Sequence, residues 1–441
     1  MKKSFKIVII IAFFCFTGIS HPQEVFTLEK AIQAALSRNT NIVKSSNSIA
    51  VYQSDVKNAY GNLLPNLSIG AGFGWQRFTN SGGQTQLDSL GRQLSVGQTQ
   101  IDSRSWSVSA GGSVTLFDGL SSIAQINKSS SDLKAAELTL EKLKQDAVLR
   151  TVNYYNQILS FQKLLGFQQE DLKYNEGLLD EIKHKFDLQI VPVSDVYSQE
   201  AQTANSRVAY LQAKNNFEKA KINLLTYLSM DLSGNYLFDS LAAVVKDSSL
   251  LKSDPENLYN IAFSSRQDYL SIKYQQQSVQ DQLIIARSGF FPRLSANYGF
   301  SSEAGEFSDL LNRKTYSFGL SLNIPIFSNW NTENSIQSAQ AQFENINEDL
   351  RFLELSIKGQ VKTAYLDLQT SKQQVEASGI ALTASKESWQ IKKETYALGG
   401  ATYLDLQQAY NNYLQAQYNK ISNEFNYLNA YYALLNSIGR Y

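Results

Sequence analysis

Residues 67–75 read Leu-Ser-Ile-Gly-Ala-Gly-Phe-Gly-Trp, so apolar side chains alternate with serine and glycine. Residues 106–116 continue the alternation as Trp-Ser-Val-Ser-Ala-Gly-Gly-Ser-Val-Thr-Leu after a polar loop. A period of two places successive side chains on opposite faces and predicts a strand with one apolar and one polar face. Strands of about ten residues with an apolar outer face and small polar inner residues are what a membrane β-barrel requires.

The same pattern occurs again at residues 294–300 and 318–326, which gives four such strands in a chain of 441 residues. The smallest closed membrane barrels have about eight strands, so the four strands of one chain cannot close. Unpaired sheet edges are templates for pairing with another chain. The sequence therefore predicts that several copies of the chain assemble into one barrel.

The chain is a tandem duplication. Pro65 and Pro292 enter matching strands at an offset of 292 − 65 = 227, whereas Phe117 and Phe327 follow the strands at an offset of 327 − 117 = 210. The difference of 17 residues falls in a polar loop around residues 79–104, where insertions are tolerated. The predicted organisation is a signal peptide (1–20), a first repeat (24–230) with strands at about 65–78 and 105–117 and a helical hairpin at 120–230, a connector (231–255), and a second repeat (256–441) with strands at about 293–301 and 316–327 and a hairpin at 329–438.

Two proline-free stretches, at about 120–190 and 329–398, are rich in Ala, Gln, Glu, Lys and Leu and predict very long helices. Seventy residues at 1.5 Å each give a length of roughly 100 Å. Each long helix is expected to turn into a second helix that ends near Tyr227 or Ser437. Periodicity alone leaves open a solid antiparallel coiled coil or a tube wetted on both faces, and the strands favour the tube.

The N-terminus has the pattern of a secretory signal. Lys2, Lys3 and Lys6 precede an apolar run at 7–16, which is too short to span a bilayer. The only cysteine, Cys15, lies in this run, so removal of the signal leaves no disulfide or thiolate chemistry. With 40 basic and 40 acidic side chains, the chain has no net charge that would favour nucleic acid.

The segment at 396–409, Tyr-Ala-Leu-Gly-Gly-Ala-Thr-Tyr-Leu-Asp-Leu-Gln-Gln-Ala, has a first-copy counterpart at 186–196, Phe-Asp-Leu-Gln-Ile-Val-Pro-Val-Ser-Asp-Val. With the duplicated helix–strand–strand–helix order, these segments resemble the TolC-type outer-membrane efflux proteins along the whole mature chain. The resemblance implies a homotrimer with a twelve-stranded barrel in outer-membrane lipid and a trimeric α-barrel of twelve helices that crosses the periplasm. It also implies a passive exit duct for efflux or type I secretion, whose open end meets a periplasmic adaptor (membrane fusion) protein and an inner-membrane transporter.

The resemblance assigns a periplasmic gate to the turns between the helices. Asp195, next to Ser194, and Asp405 would lie around the threefold axis and bind cations; the alternative role for each is a helix N-cap. Gln408 occupies a position that is acidic in some family members, which predicts a weaker ring of charge. Tyr396 matches a tyrosine that joins neighbouring hairpins, or else it packs on a helix flank.

The resemblance further places adaptor contacts at Leu188, Gln189, Leu398 and Gly399. Gly399 suits a helix end with positive φ, and Gln189 at the matching position predicts that the two tips differ. An aromatic girdle toward the strand ends is expected from Trp75, Trp106, Tyr298 and Tyr316.

The sequence contains no pattern typical of an enzyme. The two histidines, His21 and His184, are not spaced for a metal site, and no nucleophile–base pair or phosphate loop is present. We therefore expect no cofactor, no metal and no catalytic residue. A structural periplasmic spacer or adhesin without a channel is the alternative to a duct.

Overall fold

The computed structural model describes residues 24–80, 85–87, 89–95, 99–234, 236–239 and 254–440. The predicted signal peptide (1–20), with Cys15, and His21 lie outside the described residues, as does most of the predicted connector.

The helices form four pairs of equal length. The pairs are α1 (Leu28–Arg38) with α5 (Pro255–Ser265) at 11 residues, α2 (Thr40–Gly61) with α6 (Gln267–Ser288) at 22, α3 (Ser121–Asp187) with α7 (Asn331–Ala397) at 67, and α4 (Val193–Tyr227) with α8 (Tyr403–Ser437) at 35. The first two pairs start 227 residues apart (255 − 28) and the last two 210 apart (331 − 121). The offsets read from the sequence are therefore those of the folded elements.

The strands are β1 (Glu24–Phe26), β2 (Ser68–Asn80), β3 (Thr85–Leu87), β4 (Gln93–Ser95), β5 (Thr99–Phe117), β6 (Tyr236–Phe238), β7 (Arg293–Ala304) and β8 (Thr315–Asn323). An antiparallel sheet has the order β2-β5-β7-β8, while β1 pairs with β6 and β3 with β4. In the four-stranded sheet, Phe73 lies opposite Trp106 and Tyr298 opposite Phe318. The register keeps one face apolar and gives the other face to Ser, Gly and Thr, as the alternation predicts.

Two strand boundaries differ from the sequence prediction. Strand β5 begins at Thr99, six residues before the predicted 105, because it keeps pairing with β2 as far as Asn80. Strand β8 ends at Asn323 rather than near 327, so Ile324 and Ile326 lie outside it. Pro325 follows directly and has no N–H to donate to a neighbouring strand.

At each level of the helical part, four helices lie side by side. Near the sheet, α3 packs against α2 and α6, and α6 packs against α7; toward the turns, α3 packs against α4 and α8, and α8 packs against α7. Although α3 and α7 have the same length, α3 buries twenty residues and α7 only six. Helix α7 is therefore at an edge of the chain, and α3 is in its interior.

Between these levels, a core forms around Tyr155 of α3. Its hydroxyl donates to the backbone carbonyl of Phe26 at 2.9 Å and accepts from the N–H of Asp239 at 3.1 Å, which ties β1 and the end of β6 to α3. Burial raises the pKa of Tyr155 to about 12. In the described part of the chain, no helix combines the length and apolarity needed to cross a bilayer.

Candidate functional site at the helical turns

The two turns between long and short helices have the same backbone. Gln189 has φ of +60° and Gly399 has φ of +77°, and each follows a C-cap leucine, Leu188 or Leu398. The N–H two residues after each cap returns to the last turn of the helix, from Ile190 to Lys185 and from Gly400 to Thr395, at 2.8 Å. Glutamine thus adopts the left-handed conformation that normally favours glycine. The expected difference between the tips is absent from the backbone and is confined to side chains.

Asp405 belongs to a capping box. Its carboxylate accepts from the N–H of Thr402 at 3.1 Å and from the Thr402 hydroxyl at 2.8 Å, while that hydroxyl accepts from the N–H of Asp405. These hydrogen bonds hold the pKa of Asp405 below its usual value. The N-cap residue of α8 is Thr402, so the alternative assignment of Asp405 as the N-cap is wrong by three positions.

Asp195 has the equivalent third position of α4 but no capping box. The N-cap is Pro192, which has neither an N–H nor a hydroxyl to offer, so Asp195 is not an N-cap either. Its Oδ1 accepts from Ser194 Oγ at 3.4 Å. The half-buried carboxylate of Asp195 is thus less constrained than that of Asp405.

Gln408 and Tyr396 make contacts of different kinds. Gln408 is exposed and its amide donates to Asn412 Oδ1 at 3.1 Å. Tyr396 packs against the cluster that contains Leu178 and Ile182 of α3, with Lys185 Nζ 4.6 Å from its ring. Among the described residues its hydroxyl has no hydrogen-bond partner, and burial raises its pKa. These contacts correspond to flank packing.

A cavity of about 480 Å³ lies between α3, α7 and α8 just above the turns. Its lining includes Tyr174, Lys393 and Tyr396, and next to it Trp389 stacks on Tyr413 at 5.0 Å. Sequence reasoning missed this aromatic group. Trp389, a tryptophan within a helix otherwise rich in Ala, Ser and Lys, was the available signal.

The predicted girdle residues lie on the apolar face but mostly not at strand ends. Trp75, Trp106 and Tyr298 are near the middle of their strands, and only Tyr316 is near an end. The Tyr298 ring lies across Gly112 and its hydroxyl donates to the backbone carbonyl of Asn66, because glycine leaves room for the ring. The expectation of strand ends is therefore wrong for three of the four residues.

Exposed aromatic side chains that the sequence reading missed are concentrated where strands meet helices. They flank the prolines that bound strands, which was the available signal: Phe290, Phe291, Phe327 and Trp330. Within the described residues, no group of three or more His, Cys, Asp or Glu could hold a metal ion.

The comparisons with known proteins agree with this architecture. The description of the matching family is outer membrane efflux protein, and the match covers residues 31–229 and 258–440. The chain is 22% identical over 401 residues to outer membrane protein TolC of Escherichia coli (strain K12), across 88% of this chain and 76% of TolC.

Solved structures share the fold at low identity. The outer membrane protein VceC from Vibrio cholerae superposes with a TM-score of 0.80 at 14% identity, over 94% of this chain and 96% of VceC. The MtrE outer membrane channel of Neisseria gonorrhoeae, in its open state, gives 0.77 at 18% identity, over 94% and 89%. Because the family match extends through both repeats, the chain belongs to the outer membrane efflux protein family, whose members are channels, and it is a protein of the outer membrane.

Proposed function

We propose that three copies of the chain form the exit duct of a tripartite efflux system or a type I secretion system. The duct passively conducts substrates that an inner-membrane transporter delivers through a periplasmic adaptor. The observation that carries the proposal is the sheet with two open edges: β2 and β8 have no further strand beside them within the described residues.

The directions of the edge strands suit a closed ring of copies. Successive strands in the order β2-β5-β7-β8 are antiparallel, so β2 and β8 run in opposite directions. Strand β8 of one copy can therefore pair antiparallel with β2 of the next. Three copies supply twelve strands, which exceeds the roughly eight needed for closure and leaves no edge.

The helical edges support the same assembly. Helix α4 exposes Val208 and Leu211, and helix α7 exposes Phe352, at 72%, and Leu355. Large apolar side chains at both edges of a helical layer are expected to pack against the next copy. Four helices at each level then become a tube of twelve that extends into the periplasm.

The turns would form the periplasmic end of this duct. We assign the gate region to Ser194, Asp195, Tyr396, Asp405 and Gln408. We assign the adaptor contacts to the four exposed tip residues Leu188, Gln189, Leu398 and Gly399. In this arrangement the apolar face that carries Trp75, Trp106, Tyr298 and Tyr316 contacts outer-membrane lipid.

The test is electron microscopy of the protein extracted from outer membranes in mild detergent, together with conductance in planar bilayers. We expect threefold particles with a hollow helical section of roughly 100 Å, from 1.5 Å per residue, and discrete conductance steps. Solid rods or monomers without conductance would instead favour the periplasmic spacer or adhesin.

A further inference from the structure

Buried side-chain hydrogen bonds join α3, α4 and α8 above the turns in a closed circuit. Tyr403 Oη of α8 donates to Gln199 Oε1 of α4 at 2.7 Å, and Gln199 Nε2 donates to Asn175 Oδ1 of α3 at 3.0 Å. Asn175 Nδ2 donates to Asp171 Oδ1 at 2.8 Å, and Tyr410 Oη, back on α8, donates to the same oxygen at 2.7 Å. We call these five residues the tip network.

The tip network is buried enough that its bonds are costly to break. Asp171, Asn175 and Gln199 are 4%, 1% and 0% exposed. Among the described residues, no Lys, Arg or His forms an ion pair with Asp171, so its carboxylate depends on these donors. Loss of a donor would leave a buried polar or charged group unpaired, and satisfied buried networks make packing rigid.

The duplicated hairpin has no counterpart of the tip network. The positions 210 residues beyond Asp171, Asn175 and Gln199 are Ala381, Ser385 and Ala409. Between α7 and α8, a groove of about 510 Å³ is lined by Ala381, Ser385 and Ala416, among others. Two seams that come from one ancestral hairpin therefore differ, and only the α3–α4 seam contains a buried polar circuit.

The lower end of α7 is held more weakly than that of α3. Within the described chain, no residue of α7 after Ser378 is buried, whereas α3 buries Asp171, Asn175, Leu178 and Ile182 over its matching part. Where α7 meets α3, three buried polar atoms have no hydrogen-bond partner among the described residues: Tyr174 Oη, Trp389 Nε1 and Tyr396 Oη. Separation of the helices would let these atoms bind water, so this contact resists opening less than the tip network does.

We propose that the tip network makes α3, α4 and α8 one rigid unit, and that the duct opens by displacement of α7 against α8. The whole α7–α8 hairpin does not move as one body. Asp171, Asn175, Gln199, Tyr403 and Tyr410 are then positioning residues for the gate. The proposal rests on the proposed function, since it describes how that duct opens.

Hydrogen exchange on the detergent-extracted assembly tests the rigid unit without any need for conductance. We expect residues 379–397 of α7 to exchange faster than the duplicate residues 169–187 of α3, and residues 403–412 of α8 to exchange like α3. Tyr410→Phe and Gln199→Ala should speed exchange in the first turns of α8 by about five- to tenfold, the factor expected for a lost hydrogen bond. Asp171→Asn keeps an acceptor and should match the parent protein.

Tyr413→Phe is the matched control for the exchange experiment. Tyr413 lies on α8 one turn beyond Tyr410, and its hydroxyl makes no hydrogen bond within the described residues. It should leave exchange in α8 unchanged. If α7 and α8 exchange together, or if the network variants behave like this control, the proposal is wrong.

Cross-links test the motion itself. Ser385→Cys with Asn412→Cys spans α7 and α8, because both positions line the same groove. Lys163→Cys with Glu424→Cys spans α3 and α8 at an ion pair of 3.4 Å. The only native cysteine is in the predicted signal peptide, so a short bis-maleimide has no competing target in the mature protein.

We expect the α7–α8 link to abolish transitions to high conductance in planar bilayers and the α3–α8 link to leave them unchanged. Any other pattern in a conducting protein overturns the proposed motion. Failure of the unlinked protein to conduct would overturn the duct, whereas the exchange experiment would still decide whether the rigid unit exists.

Discussion

Pro192 and Thr402 occupy the same position in the two hairpins, 402 − 192 = 210 residues apart, yet only Thr402 caps its helix with a side chain. Asp405 is consequently held by two hydrogen bonds to Thr402, whereas Asp195 receives one long bond from Ser194. Two aspartates that look interchangeable in the sequence therefore differ in how freely they can bind an ion.

This difference predicts unequal effects on cation block. If both carboxylates lie around the pore, Asp195→Asn should weaken block by a divalent cation more than Asp405→Asn, because the Asp405 carboxylate is already engaged. We expect roughly a fivefold rise in the blocking concentration for Asp195→Asn, since unit charges about 4 Å apart in water interact by about 1 kcal/mol. Conductance in planar bilayers measures it, and equal effects would contradict the argument.

The capping box predicts a pH-dependent tip. The pKa of Asp405 is lowered in the folded protein, so its contribution to stability is present above the unfolded pKa and is lost as pH falls through the folded value. Thr402→Val removes the hydroxyl and should make hydrogen exchange in the first turn of α8 less dependent on pH below about 4, the usual range for Asp. Thr395→Val, whose hydroxyl donates to the carbonyl of Ile391 within α7, is the control.

Asp281 predicts a stabilising substitution. Its side chain is buried, at 7% exposed, and Oδ2 has no hydrogen-bond partner in the part of the chain described. Burial, with a smaller effect of Asp132, raises the pKa of Asp281, so stability falls as pH rises through the folded value. Asp281→Asn should therefore raise the free energy of unfolding near neutral pH by about 1 kcal/mol. Thermal denaturation across pH measures it, and a destabilised variant would show that the carboxylate is used.

Asp132→Asn is the contrasting variant for that experiment. Asp132 forms an ion pair with Lys128 at 2.8 Å and accepts a hydrogen bond from Ser278. Its substitution should lower stability or leave it unchanged, and should not reproduce the gain at position 281.

Gly112 is predicted to be indispensable for the sheet. A Cβ at this position would collide with the backbone carbonyl of Asn66 and lie 2.7 Å from Tyr298 Oη. Gly112→Ala should destabilise the assembly by about 1–3 kcal/mol, the usual cost of overpacking. Gly319→Ala, with nothing within 4 Å of its added Cβ, is the matched control. Retention of the heat-stable oligomer on gels measures both, and equal retention would contradict the geometry.

Gln189 predicts the opposite response of the two tips. Because φ is +60° at Gln189, Gln189→Gly should stabilise the turn by about 1 kcal/mol, and Gly399→Gln should destabilise its own by a similar amount. Hydrogen exchange at the two turns measures these changes. Binding of a purified periplasmic adaptor would separately measure what the glutamine side chain contributes.

The sequence was most informative where local patterns determine structure. Alternation predicted which side chains share a face of the sheet, and the helix ends at Tyr227 and Ser437 were predicted to the residue. The start of β5 at Thr99 was missed because Gly, Ser and Gln carry little strand signal, and pairing with β2 extends it. The gate, girdle and adaptor roles stay predictions.

The contacts that sequence could not reveal depend on several elements at once. Tyr298 lies flat because the register brings Gly112 opposite it, which no single strand pattern encodes. Asp171 reads as one more acidic residue on a solvated helix until α4 and α8 bury it. Duplication gave a hint that could have been used: wherever the copies differ at matching buried positions, the two hairpins differ in what they do.

The equal lengths of paired helices also limit how the molecule can change in evolution. Helices α3 and α7 have 67 residues each, and α4 and α8 have 35 each. A deletion in one copy would leave its turn short of the other and tilt the end of the molecule. A lineage whose envelope becomes deeper or shallower must therefore alter both halves of the gene by the same number of residues.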